Sequence, residues 1–183
     1  MIDTSRIPQD KLTDPRFLQL HTNMMNALSN PLYINAFCVH EAAHIIYFRR
    51  MGATEFTLNG PRIEYDQAMD EFDGYMADVK VESLNMEPSD VEVINLVRQA
   101  ARGHAAGGIV ARAMTNVSDG GDEEDRRRFI SLCEAARISE PAERQAIWLQ
   151  AGEDVRQDLR SPAFKSEIWA KAKEIKLQIF GAV

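Results

Sequence analysis

Residues 31–50 constrain the fold more than any other part of the chain. They read PLYINAFCVHEAAHIIYFRR, and most of the segment is apolar. Asn30 followed by Pro31 is a typical start of a helix, and Gly52 just beyond the segment is a typical stop. Because so apolar a helix is stable only when it is covered by other elements, we expect it to be buried within the domain.

Three side chains in the middle of this segment, His40, Glu41 and His44, do not suit burial. Positions i and i+4 lie about 40° apart on one helix face, so both imidazoles can point at one place. An unpaired buried polar group costs about 1–3 kcal/mol, and a metal ion would satisfy both rings at once. The HExxH pattern therefore predicts Zn²⁺ held by His40 and His44, with Glu41 as the general base for a metal-activated water.

The third metal ligand is left open by spacing. Asp122 and Asp125 begin a later predicted helix, and both fall on the side of that helix that carries Phe129. Either carboxylate could complete a His₂Asp site, although aspartates at helix starts often serve as caps. Glu64 is a weaker candidate because its segment, GPRIEYD, has the alternation of a strand.

The rest of the chain predicts a mainly α (α+β) domain that comprises residues 1–183, with residues 1–15 as a loosely ordered arm. Two or three short strands are expected between residues 53 and 82, with a loop around residues 67–74. The expected helices are a first helix capped by Asp14, the segment described above, a long helix starting at Ser89 or Asp90, one at 122–138, and two near 141–159 and 162–180.

Composition excludes several classes of function. The net charge of −7 argues against nonspecific nucleic-acid binding, which needs a basic face. The two cysteines, Cys38 and Cys133, lie in apolar helical patterns and are predicted to be buried free thiols in a reducing compartment. The start is too polar for a signal peptide, and the apolar runs are too short for a membrane span. We expect a soluble, cytoplasmic protein without a nucleic-acid or membrane partner.

Four segments, in this order, resemble the peptidase domain of FtsH-type zinc metalloproteases. They are HEAAH on its apolar helix, the strand region GPRIEYD…FDGYMADV, the helix RGHAAGGIVARAM, and an acidic turn into the next helix. The ending, VRQDLRSPAFKSEIWAKAKEIKLQIF, also resembles the helical tail of small FtsH-like peptidases, so the resemblance extends over roughly residues 30–180. It implies a zincin-like helical domain that hydrolyses peptides or unfolded proteins, with Glu41 catalytic. Aligning the Gly/Ala-rich helices puts the family's aspartate ligand within one residue of Asp122, with Asp125 as the alternate.

The chain also departs from that family. Gly107 and Gly108 stand where the family has a Glu-Glu pair, His104 stands where it has an arginine, and the sequence given has no P-loop motif of an AAA+ motor. The leading hypothesis is a stand-alone zinc metallopeptidase, with endopeptidase activity. The alternative is a catalytically weak or inactive zinc-binding module that recognises a protein partner. His104 could be a ligand, an outer partner of a ligand or a packed residue, and an oligomer is compatible with the sequence.

Overall fold

The computed structural model describes residues 1–82, 90–118 and 121–181, which form six α-helices, a 3₁₀ turn and four strands. The helices are α1 (Pro15–Leu28), α2 (Pro31–Arg50), α3 (Asp90–Thr115), α4 (Asp122–Ala135), α5 (Pro141–Asp158) and α6 (Pro162–Phe180). The strands are β1 (Phe56–Asn59), β2 (Arg62–Asp66), β3 (Glu71–Tyr75) and β4 (Asp78–Val81). The expectation of a mainly helical protein with a small β region is confirmed.

Helix α2 lies at the centre of the structure. All residues from 36 to 48 are buried, as the apolar pattern predicts. The Asn30 side chain caps the helix by accepting a hydrogen bond from the backbone N–H of Leu32 at 3.0 Å. Gly52 follows the helix with φ = 96°, a left-handed conformation that costs glycine little. Helix α2 therefore begins and ends where the sequence indicates.

Two groups of buried apolar residues hold α2 to α6 together, and α3 contributes to both. The first core joins α2, α3 and α6, and the second core joins α3, α4 and α5. The first core includes Val39, Ile46, Val110, Ile168 and Ile175. The second core includes Val97, Ala101, Phe129, Cys133 and Ile147. Ile109 of α3 packs against both cores. Helix α3 therefore fixes the position of α4 relative to α2.

The strand region differs from the prediction of one small sheet. Strand β1 pairs with β4, and β2 pairs with β3, in two separate antiparallel sheets of two strands each within the described residues. The predicted loop at 67–74 is wrong, because Glu71–Tyr75 forms β3. Strand β3 has no buried residue, so it lacks the alternation by which a half-buried strand is recognised.

The first fifteen residues contact the rest of the chain, whereas the sequence predicts a loosely ordered arm. Ile2 and Ile7 are buried against Ile63 of β2. The backbone N–H of Asp3 donates to the carbonyl of Pro61 at 2.8 Å, and Asp3 accepts from the N–H of Ile63 at 3.0 Å. Two isolated isoleucines in a polar segment are enough to attach it, but they form no periodic pattern.

The remaining helices have the expected bounds to within a few residues. Ser89, a predicted start of α3, lies outside the described residues. Cys38 and Cys133 are buried and free, as predicted. None of the helices in the described parts of the chain combines the length and the apolar character that a bilayer crossing requires.

Candidate metal centre

Two histidines of α2 and one aspartate of α4 meet in the interior. His40 Nε2 lies 3.2 Å from Asp125 Oδ2, and His44 Nε2 lies 3.3 Å from Asp125 Oδ1. The donor atoms of the three residues all lie within 4.8 Å of one another, and all three residues are buried. The i,i+4 spacing of the histidines thus places both Nε2 atoms against the same carboxylate.

A backbone carbonyl fixes the orientation of His44. His44 Nδ1 is 2.7 Å from the carbonyl oxygen of Gly103, which can only accept. The ring therefore carries its proton on Nδ1 and leaves the Nε2 lone pair free to bind a cation. Orientation of a ligand imidazole by a backbone carbonyl is usual in zinc proteins.

Glycines give the His40 ring its space. A Cβ atom built on Gly107 of α3 would come within 2.6 Å of His40 Cδ2, and one built on Gly121 would come within 2.6 Å of His40 Cε1. Side chains at these two positions would push the ring out of place. Gly107, which weakens α3 as a helix, thus allows α2 to approach it closely.

The structure separates the two candidate aspartates. Asp125 is buried and meets both imidazoles, whereas Asp122 is about half exposed, with 48% of its side chain accessible, and forms an ion pair with Arg112 of α3. Asp122 precedes Asp125 by almost one helical turn, about 4.5 Å along the axis. The structure therefore brings together His40, His44 and the alternate aspartate, not the one that the resemblance favours.

Glu64 is engaged elsewhere. It lies on β2 and pairs with Arg6 at 3.2 Å and with Arg62 at 2.8 Å. No contact of Glu64 with the two imidazoles occurs among the described residues, which fits its weaker standing as a candidate.

The three groups are strongly coupled electrostatically. Burial acts to raise the pKa of Asp125, but His44 and the other nearby imidazoles outweigh it and hold that pKa well below its usual range. Burial acts to lower the pKa of His44, but the Asp125 carboxylate raises it above its ordinary value. Without a metal, the site therefore holds a negative carboxylate against an imidazole that tends to be protonated, and a bound cation would take the place of that proton on His44 Nε2.

Glu41 lines the cleft that opens beside these donors. The cleft has a volume of about 230 Å³ and is bounded by α2, by the connection from β3 to β4, and by the first turns of α4. His40, His44 and Asp125 line the same cleft. Burial raises the pKa of Glu41, while the two imidazoles oppose that rise. A raised pKa helps a carboxylate to accept a proton.

The donors fit a zinc ion. Two imidazole nitrogens and one carboxylate oxygen are a common zinc ligand set that leaves a fourth position open. Asp125 Oδ2 is buried and accepts no hydrogen bond of good geometry from the described residues, although His40 Nε2 is near. Such an acceptor is costly unless something binds it, and a metal ion would.

The sequence leaves the role of His104 open between a ligand, an outer partner of a ligand and a packed residue. His104 of α3 lies with Nδ1 4.0 Å from Asp125 Oδ1, and only 16% of its side chain is exposed. Burial lowers the pKa of His104, while Asp125 opposes that change. The position of His104 between two glycines of α3 is the feature of the sequence that points to the site. The carbonyl of Gly103 faces His44 Nδ1, and Gly107 lies against the His40 ring.

Comparisons with protein-family models, with curated proteins and with solved structures found no match to this chain. The likeness to FtsH-type peptidases therefore rests on the quoted residues alone, and the geometry of His40, Glu41, His44 and Asp125 is what bears on function.

Proposed function

We propose that this chain is a zincin-like, zinc-dependent metallopeptidase that resembles the FtsH type, in which His40, His44 and Asp125 hold the metal. The observation that carries the proposal is the buried cluster of these three side chains with Glu41 lining the same cleft. HExxH supplies the two histidines and the base from one helix, and α4 supplies the carboxylate that completes the site.

The chemistry divides between the metal and Glu41. Zinc, when bound, polarises the substrate carbonyl and lowers the pKa of water to about 7. Glu41 takes a proton from the attacking water and delivers it to the amide nitrogen as the C–N bond breaks. Because the cleft beside Glu41 has a volume of only about 230 Å³, it fits an extended segment rather than a folded protein. The proposed substrates are peptides and unfolded chains.

The first experiment measures metal content and cleavage in the same samples. Protein stripped with a chelator is reloaded with zinc, and zinc per chain is measured beside the cleavage of unfolded casein. The wild type should bind one zinc and cleave casein. Glu41→Gln should still bind zinc, but its rate should fall by about 10²–10⁴-fold because the proton carrier is lost.

The two aspartates provide a matched pair. Asp125→Asn should bind zinc much more weakly and lose activity, because an amide is a poor substitute for a carboxylate ligand. Asp122→Asn should keep both, because its ion pair with Arg112 is half exposed and such pairs contribute about 0–1 kcal/mol. Loss of zinc in Asp122→Asn but not in Asp125→Asn would reverse our assignment of the third ligand.

Unchanged cleavage in Glu41→Gln would refute the proposed catalytic role. One zinc per chain in the wild type without any Glu41-dependent cleavage would favour the alternative, a zinc-binding module that recognises a protein partner. Absence of zinc from reloaded wild-type protein would refute both functions.

A further inference from the structure

Three of the chain's four histidines meet around Asp125. Two of them, His40 and His44, are proposed ligands, and His104 is the third. Its ring packs edge-on against Phe48, with ring centroids 5.4 Å apart and planes at 77°. This contact directs the ring toward the site instead of toward solvent.

His104 approaches Asp125 from a different side than Glu41 does. It lines a second cleft of about 400 Å³, which also includes Phe48 and Val79. His44 and Asp125 line both clefts, Glu41 lines the first alone, and His104 the second alone. His104 is therefore badly placed to exchange protons with a substrate beside Glu41. It is also absent from the set of mutually close donor atoms found among the described residues.

Consecutive residues of α3 face the two metal-binding helices. The carbonyl of Gly103 accepts from His44 Nδ1 at 2.7 Å, and the imidazole of the next residue, His104, faces Asp125 Oδ1. We propose that His104 is a positioning residue: its Nδ1 lies 4.0 Å from Asp125 Oδ1, too far for a direct hydrogen bond, and it donates through a bridging water that holds the carboxylate in the orientation that binds zinc. This inference rests on the proposed function. Outer partners of metal ligands typically contribute about 10–100-fold to metal affinity.

Two variants of His104 separate a hydrogen-bonding role from a packing role. His104→Phe keeps a ring against Phe48 but has no donor, and His104→Gln keeps an N–H donor but has no ring. The zinc dissociation constant of each is measured by competition with a chromophoric chelator. We expect about 10–100-fold weaker binding in His104→Phe and a partial recovery in His104→Gln. His21→Ala, on the partly exposed face of α1, is the control and should bind zinc as the wild type does.

A double-mutant cycle tests whether the effect passes through Asp125. In the Asp125→Ala background, which keeps both histidines and binds zinc more weakly, His104→Phe should cause little further loss of zinc affinity, because no side-chain oxygen remains at residue 125 for His104 to hold. Equal losses in both backgrounds would overturn the inference, as would wild-type affinity in His104→Phe or weaker binding in His104→Gln than in His104→Phe. Zinc binding without cleavage would refute the peptidase but not this inference, whereas a wild type that binds no zinc would refute both.

Discussion

At the scale of single residues, neighbouring glycines of α3 face very different surroundings. A Cβ on Gly107 would meet the buried ring of His40, which Gly121 confines from another direction. A Cβ on Gly108 would meet the carboxylate end of Asp122, with Cγ at 2.6 Å. The buried His40 ring has little room to move, whereas the half-exposed Asp122 carboxylate can rotate into solvent. The same substitution at the two positions should therefore have different effects.

We expect Gly107→Ala to lower the free energy of unfolding by about 1–3 kcal/mol and to weaken zinc binding, because the added methyl displaces His40. Gly108→Ala should be neutral or stabilising by up to about 1 kcal/mol, because alanine favours the helix. Urea unfolding of the metal-free proteins and chelator competition measure the two effects. Equal results for the two variants would contradict a tight contact between Gly107 and His40.

The histidines could be predicted from the sequence, but the choice of aspartate could not. His40 and His44 lie on one helix, so their relation is local and follows from helical geometry alone. Asp125 reaches α2, and Asp122 pairs with Arg112 of α3, only because α4 packs on α3, and that packing involves residues distant in the chain. Helical periodicity puts both aspartates on the side of α4 that carries Phe129. Only the way α4 packs against its neighbours buries Asp125 and leaves Asp122 partly exposed.

At the scale of elements, local signals determined the helix bounds. Asp14 accepts a hydrogen bond from Arg16 N at 2.8 Å, and Ser161 accepts one from Phe164 N at 3.4 Å, so α1 and α6 begin at capped positions followed by proline. The strands carried weaker signals because β3 pairs with β2 while its side chains stay largely exposed. Turn and cap chemistry is visible in a single sequence, whereas an exposed strand depends on its partner.

The cap of α2 gives a prediction at this scale. Asn30→Ala should lower the free energy of unfolding by about 1 kcal/mol, because the N–H of Leu32 loses its acceptor. Asn26→Ala, at an exposed position inside α1, serves as the control and should change stability little. Thermal and urea unfolding of both variants provide the measurement, and equal losses in the two would argue against a capping role for Asn30.

At the scale of the whole molecule, the proposed metal site joins two cores. His40 and His44 belong to α2 in the first core, and Asp125 belongs to α4 in the second. A ligand that binds only the folded chain raises the free energy of unfolding by RT ln(1 + L/Kd), where L is the free ligand concentration and Kd its dissociation constant. Zinc at 100 times that constant should add about 2.7 kcal/mol, or roughly 5–10 °C in Tm. Asp125→Asn should show no such rise, and a rise equal to that of the wild type would place zinc elsewhere.

The two buried thiols report on the two cores separately. Cys38 lies in the first core and Cys133 in the second. Burial raises the pKa of Cys38 to about 12 and also raises the pKa of Cys133, so neither is a reactive thiolate near neutral pH. Cys38→Ala and Cys133→Ala each leave one thiol to follow with a thiol reagent. Both thiols should react slowly in the native protein and fast in urea, and zinc should slow both. If zinc slowed the reaction of Cys38 but not that of Cys133, α4 would not take part in zinc binding.

The division of the donors between two cores also determines when, during folding, the ion can bind. His40 and His44 come together as soon as α2 forms, but Asp125 joins them only after the second core has docked through α3. An ion bound by all three should therefore act late, slowing unfolding more than it speeds folding. The residence time of the ion would then depend on how often α4 separates from α2. The rate of zinc release would therefore measure this local opening of the native protein.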